Sequence, residues 1–143
     1  MGDRWQPQRA AYEKLKFYQN LCEIRRLVYQ LTERFPKGHL RLVSQMRDAA
    51  RNAKQNIREG YSRDSVGEFG RAIRISRGSL SELEGDVDDC LEGRLIQPRE
   101  HDMLKACFRL TKYQIDRYLD ALAKLDKSGT WKSRFKATIR NRL

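Results

Sequence analysis

Residues 43–60 read VSQMRDAARNAKQNIREG, and their apolar positions follow a helical repeat. The apolar residues, which are three and four positions apart, are Val43, Met46, Ala50, Ala53 and Ile57. This spacing places them on one face of an α-helix and leaves the polar residues on the other. The stretch therefore predicts an amphipathic helix that buries one face and ends near Gly60, since glycine is a common helix terminator.

The same repeat occurs in three further segments. The first ends at Phe35-Pro36-Lys37-Gly38, because the residue before a proline is disfavoured in the helical region. The next begins with the capping-box pattern Ser65-Val66-Gly67-Glu68 and stops at Gly93. The last opens at Pro98, a favourable first helical residue, and runs to Gly129. We expect the core to contain Leu21, Ile24, Val28, Met46, Ala50, Ile57, Phe69, Leu80, Leu83, Ile115, Tyr118 and Leu122.

Four amphipathic segments with short connections, and almost no strand pattern, predict an all-α fold. The simplest arrangement is an antiparallel up-down-up-down four-helix bundle. A chain of 143 residues fits one compact domain. We divide it into the bundle, residues 1–126, and a basic C-terminal tail, residues 127–143.

The charge of the chain is strongly positive and unevenly placed. It has 30 basic and 19 acidic residues, a formal net charge of +11. All the acidic residues lie within 1–126, six of them between positions 82 and 92, whereas the tail has six basic residues and no acidic one. A basic excess of this size indicates a polyanionic partner, RNA or DNA.

Four basic residues form what we call the cationic ridge: Arg47, Arg51, Lys54 and Arg58. Each follows a predicted core position by one residue, so the ridge lies about 100° from the buried face of its helix. A continuous row of cations can follow a phosphate backbone. The alternative is an ordinary solvated face, or one neutralised by acidic residues of a neighbouring helix. The predicted nucleic-acid-binding residues are Arg47, Arg51, Lys54 and Arg58, with Arg74 and Arg77 nearby, and Lys132, Arg134, Lys136 and Arg140 in the tail.

Enzyme signatures are missing from the sequence. It has no His-Glu-x-x-His, no Glu-x-x-His pair and no glycine-rich phosphate loop. We therefore expect no catalytic residues, no metal site and no cofactor. The longest apolar runs are too short for a membrane span, so we expect no membrane partner. The three cysteines, an odd number without close spacing, favour reduced thiols and a cytoplasmic location.

Two motifs resemble a known family. They are Asn56-Ile57-Arg58-Glu59-Gly60-Tyr61 and Gly78-Ser79-Leu80-Ser81-Glu82-Leu83, preceded by Phe35-Pro36 and Gln45-Met46-Arg47. Together they resemble the small four-helix-bundle proteins encoded by intervening sequences of bacterial 23S ribosomal RNA genes. That family is similar in fold to the accessory variability protein of diversity-generating retroelements. The chain departs from the family at Arg58, where a small residue is usual, and in the basic tail that extends past the usual end.

The resemblance implies a homopentameric barrel of bundles, and for the retroelement proteins it implies binding to nucleic acid and to a reverse transcriptase. Apolar residues outside the core stripes, which we expect at subunit contacts, are Tyr29, Ile75, Tyr113 and Leu119. Two hypotheses follow. The chain is a non-enzymatic, oligomeric nucleic-acid-binding protein, accessory to a reverse transcriptase, or it is a structural module, encoded by an rRNA intervening sequence, that binds an acidic protein partner.

Overall fold

The computed structural model describes residues 11–128, and this part of the chain consists of helices and short connections. The four long helices are α1 (Lys16–Thr32), α2 (Leu40–Ser62), α3 (Val66–Glu92) and α4 (Pro98–Ser128). Short 3-10 turns, Ala11–Lys14 and Lys37–His39, precede α1 and α2. Residues 11–128 contain no strand. The predictions of an all-α fold and of four helices are confirmed.

The helix ends agree with most of the predicted stop and start signals. The Ser65 hydroxyl oxygen accepts a hydrogen bond from the backbone N–H of Glu68 at 3.3 Å, and Gly93 is the C-terminal cap of α3. The first helix differs from the prediction in its end, which lies at Thr32 and not at Phe35. The backbone N–H of Phe35 bonds to the Thr32 carbonyl in a turn, which leaves Phe35 free to adopt the extended conformation that the following proline requires.

The core follows the predicted apolar stripes. All of the predicted core residues are buried except Tyr118, which is half-buried and packs against the core. Val43, in the first turn of α2, is also only half-buried. Further fully buried positions, such as Phe108 and Ile73, come from the same stripes. The helical period thus identified the buried face of each helix.

Helices α2 and α3 approach each other very closely at Gly60, the glycine of the first motif that carries the resemblance. A Cβ atom on Gly60 would lie 2.2 Å from the Cβ of Ala72, so only glycine fits at this point of α2. Further along the contact, the buried Ser76 hydroxyl donates a hydrogen bond to the Ala53 carbonyl. The second motif supplies Leu80 and Leu83, which are fully buried. The first motif therefore serves the packing of α2 on α3, and the second contributes to the core.

An aromatic cluster fixes the segment before α1 against the end of α2. The ring of Tyr12 lies 5.0 Å from that of Tyr18 and 5.2 Å from that of Tyr61. The Tyr61 ring in turn packs edge-on against Phe69. These contacts set the position of α1 beside the outer face of α2, where the cationic ridge lies.

Candidate nucleic-acid interface

The cationic ridge lies along the edge of α2 that faces α1. Arg47 marks this edge, since its Nε donates a hydrogen bond to the Thr32 hydroxyl at 3.0 Å and its Nη2 donates to the Tyr29 carbonyl at 3.4 Å. Its guanidinium group is therefore engaged within the chain, where it joins α1 to α2. Arg47, the first ridge residue along the chain, therefore has a structural role as well as a positive charge.

The side chain of Tyr29 brings a further cation to this edge. The guanidinium carbons of Arg25 and Arg47 each lie 4.6 Å from the centroid of the Tyr29 ring. Cation–π contacts of this kind are worth about 0.5–1 kcal/mol at exposed sites. Arg25 was not among the predicted site residues, although its position four residues before Tyr29 on one helix is a signal that could have identified it. Both arginines keep their charge and raise the potential of the α1–α2 edge.

The other three ridge residues point their charges outward. Arg51 and Arg58 are exposed and Lys54 is half-buried. Within residues 11–128 none of the three forms an ion pair. The helical rise of about 1.5 Å per residue separates Arg51 from Arg58 by about 10 Å along α2. A row of three unpaired cations along one helix edge is the main electrostatic feature of this side of the bundle.

Arg74 and Arg77 lie elsewhere, and the expectation that they are near the ridge is corrected. The Nε and Nη2 of Arg77 donate to the two carboxylate oxygens of Asp116 at 2.8 and 3.0 Å, so Arg77 sits at the α3–α4 edge. Arg74 lines a shallow groove with Leu119 and Asp126 of α4. A helical period of 3.6 residues relates side chains within one helix only, and α3 turns these two residues away from α1. The predicted tail residues Lys132, Arg134, Lys136 and Arg140 lie outside the described residues.

The acidic segment at the end of α3 divides into two rows. The row facing α4 is neutralised within the chain: Glu84 pairs with Lys112 at 3.0 Å, and Asp88 pairs with Lys105 at 3.2 Å and with Nε2 of His101 at 2.7 Å. The hydrogen bond from His101 is the main reason that the pKa of Asp88 is lowered. These pairs show which cations of α4 serve the fold.

The row facing α2 contains Glu82, Asp86 and Asp89. The carboxylate of Asp86 is buried and accepts a hydrogen bond from Nε2 of Gln45 at 3.0 Å. Burial, and then the charges of Asp89 and Glu82, raise the pKa of Asp86. Gln45 is on the edge of α2 opposite to Arg47, so this row does not neutralise the ridge. The described residues thus place the acidic and basic regions on different sides of α2.

Residues 13–116 match the family model of the 23S rRNA-intervening sequence protein. The chain belongs to this family. The match includes both motifs, and with them Gly60 and Ser76 of the α2–α3 contact. It also includes Arg25 and the whole cationic ridge, and it ends before the basic tail. No curated protein matches the chain closely enough to add to this assignment.

The other chemically notable groups lie in the core or in ordinary surface contacts. Cys90 is buried and its thiol lies 3.6 Å from the Met46 sulfur, and burial raises the pKa of the Cys90 thiol to about 11. Burial also raises the pKa of the Cys107 thiol. None of the helices within 11–128 has an apolar stretch that could cross a membrane.

Proposed function

We propose that this member of the 23S rRNA-intervening sequence protein family binds RNA or DNA, without catalysing a reaction, through phosphate contacts made by Arg51, Lys54 and Arg58. One observation supports this function. These three cations form a row on one helix edge and have no acidic partner within residues 11–128, whereas other basic side chains, such as Arg77 and Lys112, are paired within the chain.

The geometry favours contacts to the backbone of the nucleic acid. Side chains on a straight helix edge can neutralise neighbouring phosphates, and such contacts position a protein on nucleic acid without reading its bases. The charges of Arg25 and Arg47, held beside the row by Tyr29, strengthen the local field. We therefore expect affinity that depends steeply on salt and little on sequence.

The test compares two triple substitutions that remove the same charge. The first neutralises the row, Arg51→Gln, Lys54→Gln and Arg58→Gln. The second is a matched control on α4 and replaces Arg99, Arg109 and Arg117, which are all exposed, by Gln. Fluorescence anisotropy with a labelled RNA duplex, repeated at several salt concentrations, gives the affinity and its salt slope.

We expect the row variant to lose about tenfold or more in affinity, and the slope of log K against log salt to fall by about 2–3, since each phosphate contact contributes roughly 0.9. The control variant should lose much less. Equal losses in both variants would mean that only net charge attracts the RNA. If the row variant binds RNA as tightly as the native chain does, the ridge is not the RNA-binding surface.

The tail is the second contributor to this proposal. Residues 130–143 carry five basic and no acidic residues. Because the bundle core lies within the described residues, deleting 130–143 should leave the helical circular dichroism unchanged and weaken RNA binding. If the deletion leaves affinity unchanged at moderate salt, the tail has no part in binding.

We also propose that the bundle is antiparallel and that copies assemble into the homopentamer implied by the family resemblance. The order of contacts along α2 and α3 supports antiparallel packing, since Ala53 meets Ser76 whereas Gly60, later in α2, meets Ala72, earlier in α3. Ile75 remains as an apolar residue for a subunit contact because its side chain is 49% exposed.

The surface around Ile75 has charges of both signs. A groove of about 340 Å³ between α2 and α3 is lined by two acidic and two arginine side chains, Glu59, Glu68, Arg63 and Arg71. A surface with both signs can meet a copy of itself without net repulsion. Sedimentation should show an oligomer that Ile75→Glu dissociates, and a 17 kDa monomer at micromolar concentration would exclude assembly. Of the other three apolar residues expected at subunit contacts, Tyr29 and Leu119 are half-buried within the chain, and Tyr113 is exposed on α4, which does not line this groove.

A further inference from the structure

The outer face of α4 carries a line of exposed apolar residues that the bundle does not use. Met103, Leu110 and Tyr113 are 54%, 52% and 61% exposed, and Ala106 between them is also exposed. We call these four residues the α4 seam. Their spacing of three, four and three residues is that of the a and d positions of a heptad repeat. Single exposed apolar residues are common, whereas a contiguous line of them marks an interaction surface.

An apolar groove continues the seam toward α1. This groove has a volume of about 290 Å³ and is lined in part by Leu27, Leu31 and Leu104. Met103 belongs to both the groove and the seam, so the two form one apolar surface. At the rim of the groove, Arg34, in the turn after α1, pairs with Glu100 of α4 and so ties the end of α1 to α4.

The seam is bordered by cations that have no role within the described bundle. Arg99 and Arg117 extend the line of the seam at its two ends, four residues before Met103 and four after Tyr113. Arg109 and Lys124 lie on the same outer side of α4 and are exposed. Within residues 11–128 none of these four cations forms an ion pair. The exposed acidic residues of this side of the described helix are Asp102, Asp116 and Asp120, of which Asp116 is paired with Arg77, so the basic residues are in excess.

We propose that the α4 seam binds an amphipathic helix of another protein, one whose apolar face is flanked by Asp and Glu residues. Such a helix would pack its apolar side chains between Met103, Leu110 and Tyr113. Its carboxylates would then lie beside Arg109 and Arg117. Flanking charges of this kind determine partner choice and orientation in helix pairs. The inference does not depend on nucleic-acid binding, since it uses a different face of the molecule.

Charge disfavours two occupants that the chain itself offers, namely its C-terminal segment and the same seam of a second copy. The C-terminal segment 129–143 has five basic residues and no acidic one, so it would be repelled by the cations along α4. Pairing of the seam with the same seam of a second copy is also disfavoured. An antiparallel pairing of the seam with itself is centred near residue 108 and brings the two Arg109 side chains together, and a parallel pairing brings the two Arg117 side chains together.

The experiment uses the full chain and three synthetic peptides of three heptads each. The first has Leu at a and d and Glu at e and g. The second has the same Leu seam with Lys at e and g, and the third keeps Glu but has Ser in place of Leu. Like charges along its flanks keep each peptide from pairing with itself. Titration calorimetry or anisotropy with a labelled peptide measures binding.

We expect the Leu–Glu peptide to bind at least about tenfold more tightly than either of the others, a difference of about 1.4 kcal/mol. The double substitution Leu110→Ser with Tyr113→Ser should abolish this binding. The bundle should stay folded, because both side chains are exposed, and RNA affinity should not change. Leu40→Ser, which removes an exposed apolar residue at the start of α2, is the matched control and should leave peptide binding unchanged. Arg109→Glu with Arg117→Glu should reverse the preference toward the Leu–Lys peptide.

Several results would overturn the proposal. Equal binding of the Leu–Glu and Leu–Lys peptides would show that the cations do not select the partner. Equal binding of the Ser–Glu peptide would show that only charge is recognised, and unchanged binding by the Leu110, Tyr113 variant would place the contact elsewhere. An oligomer that this double variant dissociates would identify a second copy as the occupant. One further result would support the proposal. If the Arg51, Lys54, Arg58 variant loses RNA binding and retains peptide binding, the α4 seam binds its partner independently of the RNA-binding surface.

Discussion

Gly60 of α2 lies so close to Ala72 of α3 that a Cβ atom at position 60 would be only 2.2 Å from the Ala72 Cβ. The neighbouring atom is a short side chain on a packed helix and has no flexible end that could move aside. Gly60→Ala should therefore force α2 and α3 apart. Although alanine has the higher helix propensity, we expect a net loss of about 1–3 kcal/mol in the free energy of unfolding, the range typical of overpacked cores.

Urea denaturation followed by circular dichroism measures this loss. Gly78→Ala is the control, because a Cβ at position 78 would meet no atom within 4 Å. Removing a glycine from a helix interior should there stabilise the chain by about 0.5–1 kcal/mol. A Gly60→Ala variant as stable as the native chain would contradict the close contact.

The helical fold was predictable from sequence because it depends on a repeat within each helix. The spacing of Met46, Ala50 and Ile57 identified the buried face of α2, and all three are at most 1% exposed. Gly60 belongs to the first motif that carries the resemblance. The reason that this position requires glycine is its contact with Ala72 of α3, which the sequence alone does not show.

The candidate site was only partly predictable, because a helical period does not say which neighbour a side chain meets. Arg47 and Arg51 are four residues apart on the same ridge, yet Arg47 is bound to Thr32 and Arg51 is free of ion pairs within the described chain. Arg77 was expected near the ridge and lies beside Asp116. Arg25 was missed because its significance depends on Tyr29 and on Arg47 of another helix.

Thr32 provides a second prediction, because its buried hydroxyl joins two interactions. It donates to the Val28 carbonyl at 2.7 Å and accepts the hydrogen bond from Arg47. Thr32→Val keeps the shape and removes both bonds, which leaves the Arg47 donor without this partner. We expect a loss of about 1–3 kcal/mol in the free energy of unfolding, since the lost bond involves a charged group.

Thr111→Val is the matched control. Thr111 is also buried and its hydroxyl donates to the carbonyl four residues earlier, that of Cys107, but no second side chain among residues 11–128 bonds to it. We expect Thr111→Val to lower the free energy of unfolding by less than Thr32→Val does, as measured by urea denaturation. A double-mutant cycle of Thr32→Val with Arg47→Met should give a coupling energy of about 0.5 kcal/mol or more. Additive losses would mean that the Thr32–Arg47 bond does not contribute.

Asp86 and Asp88 should respond to pH in opposite directions. Burial, followed by the charges of Asp89 and Glu82, raises the pKa of Asp86, so its ionised form is disfavoured in the folded state. The stability associated with a raised carboxyl pKa is present at acid pH and is lost as the pH rises through that pKa. Asp86→Asn removes this penalty, and it should raise the urea midpoint at pH 7 and lose its advantage below about pH 3.8, the ordinary value.

Asp88 is the contrasting case, since the hydrogen bond from His101 and the contact with Lys105 lower its pKa. The stability from a lowered pKa is present above the ordinary value and is lost as the pH falls through the lowered one. Asp88→Asn should therefore lower the midpoint at pH 7, modestly because the side chain is half exposed, and the difference should vanish on acidification. If both variants shift the urea midpoint in the same direction at pH 7, the opposite pKa shifts of Asp86 and Asp88 are wrong.

The last prediction concerns Arg77, whose charge is matched by Asp116 at the α3–α4 edge. Its two hydrogen bonds of 2.8 and 3.0 Å occupy both carboxylate oxygens. The carboxylate in such a pair offsets the positive charge of the guanidinium, so the pair attracts a phosphate less than an unpaired cation does. It also lies on the other side of the bundle from the row formed by Arg51, Lys54 and Arg58. Arg77→Gln should therefore change RNA affinity by less than about twofold, whereas Lys54→Gln should weaken binding and lower the salt slope by about 1.

Asp116→Asn releases the Arg77 guanidinium from its ion pair. This variant tests the role of Arg77 in RNA binding without removing a basic residue. The pair is largely exposed, so its removal should cost only about 0.2–1 kcal/mol of stability. If Arg77 belonged to the RNA-binding surface, releasing it would strengthen RNA binding and steepen the salt slope by about 1. Because it faces α4, we expect only the small gain that one additional net positive charge produces. That gain should match the gain from Asp120→Asn, an exposed acidic residue four positions away on the same helix. A larger gain for Asp116→Asn than for Asp120→Asn would place Arg77 at the nucleic acid.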